Sequence, residues 1–337
     1  MTVYDKNLKK LALKIGFAML LFYGMFSLLG TIAVVIEEIL GEFMYADAAH
    51  IIGQTLYGCV YFLSFTVPAF LICKLQKKQE GYRPINFSAK LPKYTPLVIV
   101  AAIAINYAVA YFNNIIFMPL LPTFNEMVDA TTASEISPWA QIIMMVFTTA
   151  VVPALCEEFL FRGAILSNLA PYGRGSAILF SSLLFGLMHQ NLFQIIYTTV
   201  LGVVIGYVYV KTKSIWCCVL IHFVNNGSSV LQEAFMLTLD TKVADVIVII
   251  MDVAIVSVGV VSLLFLIRKK AHKLDYEDVG SFGIIHEPDI DYEEYRTTKG
   301  KKLKMMLSPT TIVFAVLSIA SMAITLVSIL LAGALGL

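Results

Sequence analysis

The sequence is short of charge. Asp, Glu, Lys and Arg make up 14% of its 337 residues, against 59% hydrophobic, and mean hydropathy is +0.82. A water-soluble domain of this length needs far more charged surface to stay dispersed. Positive charge is not gathered into a patch, and the net charge is +1, so the chain has no nucleic-acid footprint. Cysteine is also scarce: Cys59, Cys73, Cys156, Cys217 and Cys218 are an odd number without a CxxC pair. That excludes a disulfide framework and a structural zinc site, and the five read as small apolar packing residues. No internal repeat or low-complexity tract is present. Lys6, Lys9, Lys10 and Lys14 precede an apolar stretch reaching about Ile36. That stretch is too long for a signal-peptide core and lacks a small-x-small cleavage site, so an uncleaved first span is expected.

What the sequence has in abundance is long apolar runs. Runs of about 20 residues suffice to cross a bilayer core. The runs predict an all-α polytopic bundle of eight to nine spans, near 11–36, 51–73, 96–120, 138–168, 176–190, 192–210, 214–238, 244–267 and 310–335. Pro153 is expected to bend the fourth. The connections alternate in charge. Glu37, Glu38, Glu42 and Asp47 follow the first span; Lys74, Lys77, Lys78, Arg83, Lys90 and Lys93 follow the second; Glu126, Asp129 and Glu135 follow the third. Arg174, then Lys211 and Lys213, then Arg268, Lys269 and Lys270 mark the later basic ends. The positive-inside rule then places the N-terminus in the cytoplasm. The expected organisation is an N-terminal three-span region (1–137), a core of spans four to seven (138–238), span eight (239–267), a polar cytoplasmic linker (268–309) and a final span (310–337). His286, Glu287 and Asp289 in the linker read as solvated polar residues rather than metal ligands.

Ionisable residues inside spans are costly and mark function by default. Three groups stand out: Glu157, Glu158 and Arg162 in span four, Phe185 and His189 in span five, and His222, Asn225 and Asn226 in span seven. Glu158 and Arg162 are four residues apart and share a helix face, where an ion pair forms readily. Glu157 is turned about 100° away, free for other work. Phe185 with His189, and His222 with Asn226, repeat the four-residue spacing. Counted from the cytoplasmic boundary, Glu157 lies about 18 Å deep, His189 about 20 Å and His222 about 12 Å, compatible with one cavity. A carboxylate and an imidazole can position and deprotonate water, while a second imidazole and an amide can stabilise an oxyanion. The same Glu157, His189 and His222 set can instead hold a divalent metal such as zinc, and spacing does not decide between the two.

The ordered motifs Glu157-Glu158-x-x-x-Arg162, Phe185-x-x-x-His189 and His222-x-x-x-Asn226 resemble those of the CPBP family, also called the Abi or CAAX-protease family of intramembrane endopeptidases. The resemblance covers about residues 138–238. It implies that Glu157 and His189 activate water, that His222 and Asn226 form the oxyanion site, and that Glu158 and Arg162 support them. Phe185 is expected to pack beside His189. The family is often labelled metallopeptidase although a metal-free glutamate mechanism has been argued for it. It also includes bacterial proteins tied to bacteriocin processing or self-immunity.

The expected activity is therefore endopeptidase cleavage of a membrane-associated peptide or protein, with membrane lipids as surroundings. The compact layout suggests a bacterial inner membrane. The competing classes are a proton-coupled transporter, which the missing repeat disfavours, and a non-catalytic immunity or scaffold protein that keeps the motifs for helix packing. A Cys156 nucleophile is disfavoured by its apolar surroundings. Asp252 in span eight, and Asn106, Asn113 and Asn114 in span three, are intramembrane polar residues that no motif places.

Overall fold

The computed structural model describes residues 3–77, 85, 87, 91, 93–120, 136–269 and 299–335, and every regular element among them is a helix. We number them α1 (Val3–Phe43), α2 (Ala46–Gln76), α3 (Thr95–Phe117), α4 (Pro138–Tyr172), α5 (Arg174–Met188), α6 (Ile195–Thr212), α7 (Ile215–Thr238), α8 (Thr241–Arg268), α9 (Lys299–Met306) and α10 (Pro309–Leu335). His286, Glu287 and Asp289 lie outside the described residues.

Each expected segment is occupied by a helix, and 7 of these helices are long and apolar enough to cross a membrane. The other two depart for different reasons. Helix α5 has 15 residues, a rise of ~22 Å against a hydrocarbon core of ~30 Å. Helix α7 has 24 residues, but His222, Asn225, Asn226, Gln232 and Glu233 interrupt its apolar run. Together the helices make the chain an integral membrane protein.

Helices α1 and α2 form an antiparallel pair, α5 and α6 a second, and α3 packs on both α8 and α6. Helix α4 runs between α2 and α7 and carries the most deeply buried stretch, from Leu160 to Leu169. Its course is irregular. Two π-helical stretches, Val146–Val151 and Phe159–Leu166, flank the α-helical turns Val152–Glu158. Proline at 153 has no N–H to return to the preceding turn, and the widened stretch just before it absorbs the bend expected there.

Lipid gives helices no hydrophobic reason to associate, so small residues that allow close backbone approach do much of the joining. Gly259 is such a contact between α8 and α3. A β-carbon there would overlap Ala104 and come within 2.9 Å of the Val100 carbonyl oxygen. Gly259→Leu is expected to pry α8 from α3 and destabilise the protein by about 1–3 kcal/mol. A lowered midpoint of thermal unfolding in detergent would bear this out, and an unchanged one would show that the contact carries no stability.

Candidate active site

Two neighbouring carboxylates on α4 are buried almost completely, Glu157 at 2% exposure and Glu158 at 0%. Such groups remain charged in a bundle only when paired. Glu158 Oε1 accepts from Arg162 one turn on at 2.9 Å, and from Nδ1 of His222 on α7 at 2.8 Å. Arg162, itself 2% exposed, spends a second nitrogen on the Gly202 carbonyl of α6 at 3.1 Å. Its guanidinium lies over the Phe185 ring, 4.6 Å from the centroid. One arginine thus ties α4 to α5 and α6, and one carboxylate ties α4 to α7.

With Nδ1 engaged on Glu158, Nε2 is the nitrogen of His222 left over, and it lies 3.9 Å from Glu157 Oε2. That separation is too long for a hydrogen bond. Glu157 Oε1 is held from the other side by the hydroxyl of Tyr61 on α2, while its Oε2 has no hydrogen-bond partner. The two carboxylates differ in their partners: Glu158 Oε1 takes both Arg162 and His222, and Glu157 Oε1 takes Tyr61, while Oε2 of each has no hydrogen-bond partner.

His189 follows the last turn of α5. Its Nδ1 lies 2.8 Å from the Phe185 carbonyl oxygen, which makes Nδ1 the N–H donor and leaves Nε2 a bare acceptor. The Phe185 ring packs edge-on against His189 at 5.2 Å and against His222 at 5.9 Å. His189 is within electrostatic reach of both Glu157 and His222. Gln190, next in the chain, adopts a left-handed conformation with φ of 51° and turns the backbone away. Gly186 fixes the height of this turn against α6, because a β-carbon there would overlap Thr199 and press to 3.0 Å from the Ile195 carbonyl oxygen.

Asn226 sits at the end of a file of side-chain amides. Asn106 Nδ2 donates to Asn225 Oδ1 at 2.9 Å, Asn225 Nδ2 to Asn226 Oδ1 at 3.1 Å, and Asn226 Nδ2 to the Thr149 carbonyl at 2.9 Å. Thr149 is four residues before Pro153, so its carbonyl is the one that the proline leaves without an α-helical donor. The amide keeps one N–H over for another acceptor.

Of the seven residues singled out from the sequence, Glu157, Glu158, Arg162, Phe185, His189 and His222 are linked by contacts to one another, while Asn226 is held by Asn225 and the Thr149 carbonyl. Tyr61 and Asn106 join the network without having been singled out for this site, because their partners lie 96 and 119 residues away with no shared motif. Asp252 falls elsewhere: it accepts from Gln232 at 2.6 Å, in a network with Tyr107 and Ser228 that fastens α8 and α3 to α7. Asn113 donates to the Phe193 carbonyl and Asn114 is exposed. Cys156 is buried, and none of the cysteines is in a disulfide.

A metal site needs three protein ligands turned to one point. Among the described residues no three His, Cys, Asp or Glu side chains are so placed. Nδ1 of each imidazole is engaged elsewhere and Glu157 Oε1 is shared with Tyr61, so Nε2 of His189 and His222 and Oε2 of Glu157 are the atoms that would hold a metal ion. As they stand, the three are not drawn together closely enough to fit a zinc ion.

Residues 138–228 match the family model described as type II CAAX prenyl endopeptidase, Rce1-like. A protein of Bacillus subtilis (strain 168) named "Putative membrane peptidase YdiL" is 29% identical over 93 residues, 27% of this chain and 37% of that protein. The chain thus aligns with little more than a third of that relative's length. No solved structure matches. The matched stretch includes Glu157, Glu158, Arg162, Phe185, His189, His222 and Asn226, and over residues 138–228 the chain is similar to the CPBP, or CAAX-protease, family.

Proposed function

We propose that the protein is an intramembrane endopeptidase with residues 138–238 as its catalytic core. The observation that carries this reading is the pair of adjacent buried carboxylates with divided tasks. Glu158 is held by Arg162 and fixes His222, while Glu157 keeps one oxygen open towards the same imidazole.

In this reading a water rests between Glu157 Oε2 and His189 Nε2. Glu157 takes its proton as the water oxygen bonds to the scissile carbonyl carbon, and the carbonyl π electrons move onto oxygen. The oxyanion receives Nε2–H of a protonated His222, whose positive charge Glu158 balances, and the second N–H of Asn226. Collapse of the tetrahedral intermediate breaks the C–N bond, and the proton on Glu157 passes to the departing amine. Tyr61 keeps Glu157 from turning its free oxygen away. No step passes through a metal ion.

Loop charge and the bacterial relative support a bacterial cell membrane with the N-terminus in the cytoplasm, and peptide precursors there as substrates.

The test is cleavage of a peptide library by purified protein in detergent. Glu157→Gln and His189→Ala are each expected to lower kcat by about 10²–10⁴-fold, and dialysis against a chelator to leave the wild-type rate unchanged. Equal cleavage by all three proteins would remove the active site, and a chelator-sensitive rate restored by zinc would replace the water activation described here. Tyr61→Phe deletes one hydroxyl and is expected to lower kcat by roughly tenfold, with KM within about twofold, the scale of a hydrogen bond to a charged group. A change confined to KM would move Tyr61 from the catalytic carboxylate to substrate binding.

A further inference from the structure

Helix α5 stops where α1 continues. The start of α1 meets the end of α4 just before α5 begins: the Tyr4 hydroxyl donates to the Tyr172 carbonyl at 2.7 Å and the two rings lie 4.8 Å apart. After its 15 residues α5 ends at Met188, and the farther half of α1 rises past that end without it. The result is a cleft of about 550 Å³, within the size that encloses a small ligand or short peptide. Its walls are α1 from Phe26 to Glu38 and Tyr57 of α2, and its floor is Met188, His189 and Gln190.

The cleft has a catalytic end and a charged end. Phe26 packs edge-on against Tyr61 at 5.6 Å, and Tyr61 holds Glu157, so the reacting groups lie at the level of Phe26. From there the wall is apolar or small, with Gly30 and Val34, until Glu38. Twelve helical residues separate Phe26 from Glu38, a rise of ~18 Å, which about five residues of extended peptide would span. Glu37 is consumed by the fold, bonded to His50 at 2.7 Å and Gln54 at 3.3 Å on α2. Glu38, one residue on, lines the cleft and makes no hydrogen bond or ion pair among the described residues. Among the described residues it is the one carboxylate in the lining, and no Lys or Arg lines the cleft.

We propose that this cleft binds the substrate chain alongside the scissile bond and selects a cationic peptide: small apolar residues against Gly30 and Val34, with a lysine or arginine about five residues away facing Glu38. The assignment rests on the protease reading for what happens at His189, but binding in the cleft is measurable without it.

The probes are two labelled heptapeptides of small apolar residues, one ending in Lys and the other in Glu. Both Kd and, where cleaved, KM and kcat are measured on wild type, Glu38→Gln, Glu38→Lys and Gly30→Leu. Position 30 has room for a side chain, since a β-carbon would lie 3.9 Å from the Tyr57 ring, so leucine there fills the cleft without forcing helices apart. Wild type is expected to prefer the Lys peptide. Glu38→Gln should weaken it about three- to fivefold and Glu38→Lys about tenfold or more while improving the Glu peptide, with kcat within about twofold. Gly30→Leu should weaken both peptides. Equal Kd values for the two peptides on wild type, or no exchange of preference in Glu38→Lys, would overturn the proposal even if cleavage is robust. Charge-selective binding without any cleavage would uphold the cleft and refute the protease reading.

Discussion

Everything in the site leans on one carboxylate oxygen. Glu158 Oε1 receives both Arg162 and His222 in a place with no exposure. Bringing three ionisable groups into the bundle is expensive, and removing any one leaves a charge that neither lipid nor protein solvates. The three groups come from two helices, and Arg162 reaches a third and fourth through Gly202 and Phe185. The arrangement has few alternatives, since the guanidinium and the imidazole donor converge on the same carboxylate oxygen. Its worth lies in fixing which face of α4 meets α7 and which nitrogen of His222 is left to face Glu157. Coulombic stability is the smaller part.

Geometry around that oxygen is set by departures from regular helix. Proline at 153 and the π-helical turns on either side of Val152–Glu158 alter the register of α4 just where the carboxylates sit. The carbonyl that proline strands at Thr149 becomes an anchor for Asn226. A perfect α-helix would have used that carbonyl internally and left the amide without a fixed direction. The helix defect and the motif residue on another helix are two halves of one device.

Much of this was legible in the sequence, for a physical reason: charge inside an apolar run is so costly that it advertises itself. Glu157, Glu158, His189 and His222 stood out on that ground, and the four-residue spacing told which carboxylate Arg162 would take. The helices themselves followed from run length. What stayed hidden was every contribution from residues that are unremarkable in lipid. Tyr61 is one aromatic among many in α2, and only the fold turns its hydroxyl to Glu157. Asn106 was noticed as polar but no periodicity links it to Asn225. The shortness of α5 was visible, whereas the cleft it opens depends on α1 standing beside it.

The clasp between α1 and α10 bears on how such a molecule comes to be assembled. The Ser308 hydroxyl donates to the Ala12 carbonyl at 3.1 Å and that of Thr310 to Leu13 at 3.0 Å, across 296 and 297 residues of chain. During synthesis α1 enters the bilayer long before its partner exists, and its face around Ala12 to Phe22 must wait against lipid or the insertion machinery. Helices α2, α4, α5 and α7, which carry Tyr61, the carboxylates and both histidines, are all made in that interval. The buried polar cluster can therefore close while one flank of the bundle is still open, and the arrival of residue 310 seals a structure whose charged centre is already in place.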